Sequence, residues 1–369
     1  MYADYSEKLA KIIVQYSVNI QPDDLVMIRA PVNAEELVRE VYREVLQAGG
    51  NVIRLALSFN GQAELFYKYA SETQIKYVDQ LNLNLMKRIN KSIDILSNYN
   101  TKALTNVPPE KKMMAAEAQK EISETFFDRA AKKELVWNLS PYPCDAFAQE
   151  ANMGRLEYLE FVYHALNLHK DDPIEFWKSI ETQQEKIIEQ VNKGSEFQIM
   201  GKDTDLTLGI RKRTWINGSG HENLPDGEVF TAPIEDSVNG TIRFTYPGIF
   251  QGQEIEDVQL TFKEGKVTEG EARKGQAFLQ KILEIPNADR LGELGIGTNN
   301  SIQRFTKNII FDEKMGGTIH LALGAGYPES GSKNQSSIHW DLLKDMKDSN
   351  AKLLLDGEVI YREGKWLIG

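Results

Sequence analysis

The sequence predicts an α/β chain: an N-terminal parallel-sheet α/β domain followed by a mixed, β-rich α+β domain. Three observations carry that expectation. The first hundred residues alternate apolar strand-like runs with helical periodicity, the pattern of βαβ units. Beyond Gly194 the texture changes to short alternating strands separated by hairpin signals. At 369 residues the chain exceeds one ordinary domain, and roughly 100 to 200 residues per domain divides it in two. The division is placed at residues 1–150 and 151–369, within an interval from 105 to 195.

An amphipathic segment, Tyr5 to Val18, leads through a turn at Gln21-Pro22-Asp23-Asp24 into the apolar run Leu25 to Ala30. A helix is expected from Ala34 to Ala48, because Leu37, Val38, Val41, Val45 and Leu46 fall on one face and Gly49-Gly50 stops it. A second apolar run, Asn51 to Leu57, completes a βαβ unit, which requires a right-handed crossover and a parallel sheet. Strands at Ser92 to Leu96 and Glu134 to Leu139 flank a long helix, Pro109 to Ala131, opened by a proline start signal. Two further helices follow, Arg155 to Asn167 and Pro173 to Asn192. In the second half, hairpins are marked by Glu264-Gly265-Lys266 and Asp356-Gly357, with one helix near Gly275 to Leu283.

With 54 acidic and 43 basic residues, the net charge of −11 disfavours phosphate backbones, so nucleic acid is not an expected partner. The single cysteine, Cys144, excludes an internal disulfide and thiolate metal chemistry, and fits a reducing, cytoplasmic setting. No run of about 18 apolar residues suggests a membrane span. A dinucleotide cradle is missing: where G-x-G-x-x-G would stand, the chain reads Arg29-Ala30-Pro31-Val32-Asn33-Ala34. His164 and His169 lack carboxylates at ligand spacing and read as ordinary histidines; Cys144 reads as a buried structural residue.

The chemistry concentrates in the second half. His339 and Asp341 stand at i and i+2, so a strand aims both at one side, as a metal pair or an orienting pair. His320 lies in an apolar strand between glycines, where a core histidine bonded to backbone is the plainer reading. Glu293, in Leu-Gly-Glu-Leu-Gly-Ile-Gly, occupies an interior strand in which an unpaired carboxylate would be costly without a cation or strong donors. Glu228 is delivered by a Pro-Asp-Gly turn to the start of a short strand. Together these five residues supply three carboxylates and two imidazoles, the oxygen and nitrogen inventory of a two-metal site.

Four ordered blocks then carry a family resemblance: Asn223 to Pro233, Leu291 to Asn299, His320 to Pro328 and Ser337 to Met346. On these the chain resembles the M29 metallo-aminopeptidases, the thermophilic aminopeptidase group. The resemblance implies that Glu228, Glu293, His320, His339 and Asp341 are metal ligands, with Glu293 a bridge. It makes Tyr327 a ligand or close neighbour of the metals, and Glu313 a base or outer-shell group. It also implies two divalent ions per chain (zinc, cobalt or manganese), a peptide substrate with a free N-terminus, and a homodimer. Only Glu329 to Ile338 separates the Tyr-Pro segment from His339, where some family members carry a longer insertion. The competing reading is a non-catalytic, metal-stabilised module that binds a peptide or a partner. A closed ligand shell would mark that module, and an open position for water would mark an enzyme. A metal-dependent phosphoesterase is a lesser rival, since no lysine or arginine cluster accompanies these motifs as a phosphate clamp.

Overall fold

The structure, a computed structural model, describes residues 4–250 and 252–367. It divides into two compact units, Met1–Ile174 with Gly220–Pro225, and Glu175–Ser219 with Asp226–Gly369.

The first unit is built on a parallel four-stranded sheet, ordered Asn51–Ser58, Leu25–Pro31, Lys91–Leu96, Val136–Pro141. The expected βαβ unit is present: helix Glu35–Gln47 buries Leu37, Val38, Val41 and Val45. Its chain reverses through Gly49 at φ +86°, a conformation only glycine adopts freely. Helix Tyr5–Ile12 runs on into a π-helical turn, Ile13–Ser17. The long helix spans Pro109–Ala131, and short helices at Gln62–Tyr69, Glu72–Ile75 and Gln80–Met86 fill a stretch that carries no clear periodicity.

The change of unit falls at Ile174, later than 150, because helix Arg155–Ala165 and the turn behind it pack on the N-terminal helix. Lys8 Nζ donates to the Leu168 carbonyl at 2.9 Å and to Tyr163 Oη at 3.2 Å. Segment 220–225 rejoins this unit through the sheet edge, where Leu139 N donates to Glu222 O at 2.8 Å and Leu224 N to Leu139 O at 3.0 Å.

The second unit contains two antiparallel sheets. A nine-stranded sheet runs from Gly248–Phe250 through Gln253–Lys263, Asn239–Arg243, Thr204–Gly209, Glu196–Gly201, Lys352–Leu355 and Glu358–Arg362 to Lys365–Trp366. Lys266–Lys274 is paired to Gln253–Lys263. Both expected hairpins lie in it. The five-stranded sheet is ordered His339–Asp345, Thr318–Gly324, Leu291–Gly297, Glu228–Thr231, Ile216–Gly218.

Alternation gives this smaller sheet two different faces. Leu294, Leu321 and Leu342 form one cross-strand row, and Ile296 pairs with Ile319; all five are fully buried in the unit's main hydrophobic core. The residues between them point to the opposite face, which carries the polar side chains. Core packing therefore sets the register, and a one-residue slip would send the polar set into the hydrophobic core. Leu321→Ala, at the centre of the apolar row, is expected to lower unfolding free energy by ~2–5 kcal/mol, read from urea denaturation. A change below about 1 kcal/mol would contradict this view of the row.

Candidate metal centre

Register assembles the polar face. Glu293 and Asp341 both sit opposite Ala322, from the strands on either side of it. His320 sits opposite Gly295, His339 opposite Gly324, and Glu228 opposite Gly297. Each functional side chain thus has a glycine or alanine as cross-strand neighbour, so the row has room for carboxylates and imidazoles to converge. The requirement is tightest at Gly295: a Cβ there would overlap the His320 ring.

The resulting cluster is compact. His320 Nε2 lies 3.0 Å from Glu293 Oε1 and 3.3 Å from Glu228 Oε2. His339 Nε2 lies 3.4 Å from Asp341 Oδ1 and 3.8 Å from Glu293 Oε2. The other ring nitrogen of His339, Nδ1, is 2.7 Å from the Ala325 carbonyl, which orients the imidazole with Nε2 toward the carboxylates. Three groups have ligand atoms all within 4.8 Å of one another: Glu228–Glu293–His320, Glu293–His339–Asp341 and Glu313–His320–Asp341. Glu293 is shared by the first two. Tyr327 leads into the short 3₁₀ turn Pro328–Ser330, with its ring 5.5 Å from that of His339 and 5.6 Å from that of Phe230.

The electrostatics are those of a site made for cations. Burial raises the Glu228, Glu293 and Glu313 carboxyls above their ordinary range. Burial also opposes charge on the imidazoles, but the bond to Glu293 and the charge of Glu228 override it and raise His320 to about 9. At His339 the same opposition is overridden by Asp341, raising it to about 10. Asp341, which burial would raise, is drawn down to about 2 by His339. Protons on the two imidazoles thus compensate the carboxylates, and a divalent ion bound there would displace them.

A metal fits these residues. Glu228 Oε2, Glu293 Oε2 and Asp341 Oδ1 are buried acceptors that no hydrogen bond satisfies, a costly state in a protein interior that a coordinated cation relieves. The donor set, oxygen and nitrogen without sulfur, suits zinc, cobalt and manganese alike.

The structure brings together all seven residues singled out from the sequence. Sequence reasoning passed over Lys314. It is fully buried, and its ammonium donates to Glu228 Oε1 at 2.9 Å and to Glu313 Oε1. Burial works against that charge, but Glu228 and Glu313 hold the group well above its usual range. The signal available was a lysine between acidic Asp312-Glu313 and the apolar Met315-Gly316-Gly317, a place where a solvated lysine is out of character. Elsewhere, His164 and His169 face each other with ring centroids 4.6 Å apart, and Cys144 is buried and free. Arg213, from the basic triplet at 211–213, turns inward to Glu235 at 2.6 Å and to the Pro233 carbonyl at 3.0 Å.

Buried carboxylates and imidazoles converging from adjacent strands define the class as a metal-dependent enzyme, and comparison with known proteins names the family. A family model described as thermophilic metalloprotease (M29) matches residues 3–366, so the chain belongs to the M29 family. Aminopeptidase 2 of Geobacillus stearothermophilus is 26% identical over 403 residues, covering 98% of this chain and 97% of that protein. The solved structure of wild-type AmpT from Thermus thermophilus superposes with a TM-score of 0.84 at 22% identity, covering 100% of both chains. The structure of 2,5-dihydroxypyridine dioxygenase from Pseudomonas putida KT2440 shares the fold more distantly, with a TM-score of 0.59 at 12% identity over 99% of this chain and 97% of that one.

Gly295→Ala tests the geometry without touching a polar side chain. The added methyl must push the His320 ring away, and the expected result is a ~10- to 100-fold loss of divalent-ion affinity by calorimetric titration. Unchanged affinity would show that His320 does not need its observed position.

Proposed function

We propose that the protein is a metallo-aminopeptidase that releases N-terminal amino acids from peptides, with Glu228, Glu293, His320, His339 and Asp341 holding two divalent ions. The observation that carries this reading is the sharing of Glu293 between two ligand groups, each with an imidazole of its own. Membership of a metalloprotease family supports the hydrolytic class, and the aminopeptidase relative supports the exopeptidase character.

When bound, divalent ions supply Lewis-acid polarisation of the scissile carbonyl and a water acidified toward neutrality. The rest is done by the chain's own residues. Glu293 spans the cluster, with one oxygen toward His320 and the other toward His339. Glu313, in reach of both His320 and Asp341, takes a proton from the attacking water and returns it to the leaving amine. Tyr327 is 45% exposed as a residue, but its hydroxyl is held above the usual phenol range by lost hydration beside the cluster and by Glu293 and Glu313; it keeps its proton and donates to the developing oxyanion. A free α-amino group would bind an ion held by these residues as a neutral amine donor, so an internal peptide bond would find no such anchor.

Zinc, cobalt and manganese are the expected ions, with cellular supply selecting among them. On the family resemblance we assign a homodimer, and on the single cysteine a cytoplasmic setting, with no nucleic-acid partner. No helix of the described residues is long and apolar enough to cross a membrane.

The deciding experiment is hydrolysis of leucyl and arginyl chromogenic amides before and after chelation. Activity should vanish on chelation, return with zinc, cobalt or manganese, and be absent on N-acetylated substrates. An unaffected chelated sample would remove the metal from the reaction, and metal binding without any hydrolysis would favour the binding-module reading. Glu293→Gln removes a charge from the middle of the cluster. It is expected to lower kcat by about a thousandfold or more, the rate equivalent of several kcal/mol, with the circular dichroism spectrum unchanged. Retained activity in that variant would take Glu293 out of the mechanism.

A further inference from the structure

We propose that Lys314 is a positioning residue that acts as a resident cation of the metal centre, a fixed ammonium that lets the buried carboxylate cluster fold and keep its arrangement before any divalent ion arrives. The proposal rests on the metal-centre reading above and deepens it.

Four carboxylates lie in one cluster, those of Glu228 and Glu293 buried and those of Glu313 and Asp341 largely so. Burying that much like charge is prohibitive unless counter-charge is buried with it. The Lys314 ammonium is fully enclosed and contacts two of the four, Glu228 and Glu313, which belong to different ligand groups. It therefore stands between carboxylates that would otherwise repel each other.

Its placement is built into the backbone. Asn299 N donates to the Lys314 carbonyl at 3.0 Å, and Lys314 N to the Phe311 carbonyl at 3.2 Å. Gly297 makes the close approach feasible, since a Cβ there would overlap the Met315 carbonyl. The Glu228 carboxylate is consequently split in function. Oε1 is held by the ammonium, while Oε2 is left without a hydrogen bond, 3.3 Å from His320 Nε2. One oxygen serves folding and the other is presented to a ligand ion. A lysine held only for packing would have no reason to meet two acidic groups at this spot, and an apolar side chain of the same length would fill the space.

Lys314→Met keeps the length and deletes the charge. Thermal melting would be followed for wild type, Lys314→Met and the double variant Lys314→Met/Glu313→Gln, each after chelation and again with excess zinc or manganese. In the chelated state, Lys314→Met should melt at least about 10 °C below wild type. The double variant, which has lost a negative charge as well, should recover at least half of that deficit. Added metal should raise the melting temperature of Lys314→Met by more than it raises that of wild type, because the ion supplies the missing counter-charge. Equal deficits with and without metal, together with no recovery in the double variant, would overturn the proposal in favour of packing. If Lys314→Met alone yields no folded protein, a folded double variant supports the proposal and an unfolded one overturns it. Metal analysis of the wild type separates the two readings: a wild type that takes up no divalent ion defeats the metal-centre assignment, whereas the chelated comparison still reports on the ammonium.

Discussion

Carboxylates buried in the middle of an antiparallel sheet are the constraint around which the second unit is organised. An isolated charge there costs many kcal/mol, so each must be answered by a cation, a proton or a set of donors. Glu293 lies on a strand whose seven residues, Leu291–Gly297, are all buried. What surrounds it follows from that cost. Ala322, Gly295, Gly297 and Gly324 are the small residues that give the acids and imidazoles space to meet. His320, His339 and Lys314 are the answering groups, and carboxylate oxygens still remain unsatisfied after all three have been used.

The same strands solve a second problem, which is precision. Side chains on a sheet are held to a repeat set by backbone hydrogen bonds, and a site built on strands is more exactly placed than one built on loops. Leu294, Leu321 and Leu342 lock the register from one face while Glu293, Ala322 and Asp341 form the neighbouring row on the other. Core and metal centre are two sides of one sheet, so packing energy on the apolar side maintains distances on the polar side. Tyr327 and Glu313 lie off the strands, in the turns that border them. That position suits the proton transfer and hydrogen-bond donation proposed for them better than it suits rigid coordination.

Local pattern made much of this legible. His339 and Asp341 at i and i+2 dictate a shared face, and the glycine-flanked strand around Glu293 implies both burial and an unmet charge. The βαβ start, the long helix from Pro109 and both hairpins were readable for the same reason, since their signals lie within a few residues of each other. Non-local features were not. Which strand lies beside which is settled by pairing between segments distant in sequence, such as Leu355 with Phe197, so the pairing of Gly295 with His320, and hence the purpose of that glycine, emerges only in three dimensions. The return of 220–225 to the first unit rests on backbone bonds to Leu139 that no side-chain pattern announces. Lys314 was hidden because a lysine beside acids ordinarily reads as a solvated surface pair, and only burial gives it another meaning.

Fold alone would not have chosen the reaction, since an architecture shared with both AmpT and a dioxygenase at low identity fixes the frame and leaves the chemistry to the site. Here the discriminating feature is formal charge. Four carboxylates and one permanent ammonium leave an excess of negative charge that protons on the two imidazoles offset only in part. Divalent ions displacing those protons would complete the compensation, and the two proposed here would leave a place for one further anion. The oxygen that gains negative charge as an amide is cleaved would be such an anion, in keeping with the proposed hydrolysis. By setting the starting balance one unit closer to neutrality, Lys314 makes that last anion welcome where a fourth uncompensated carboxylate would repel it.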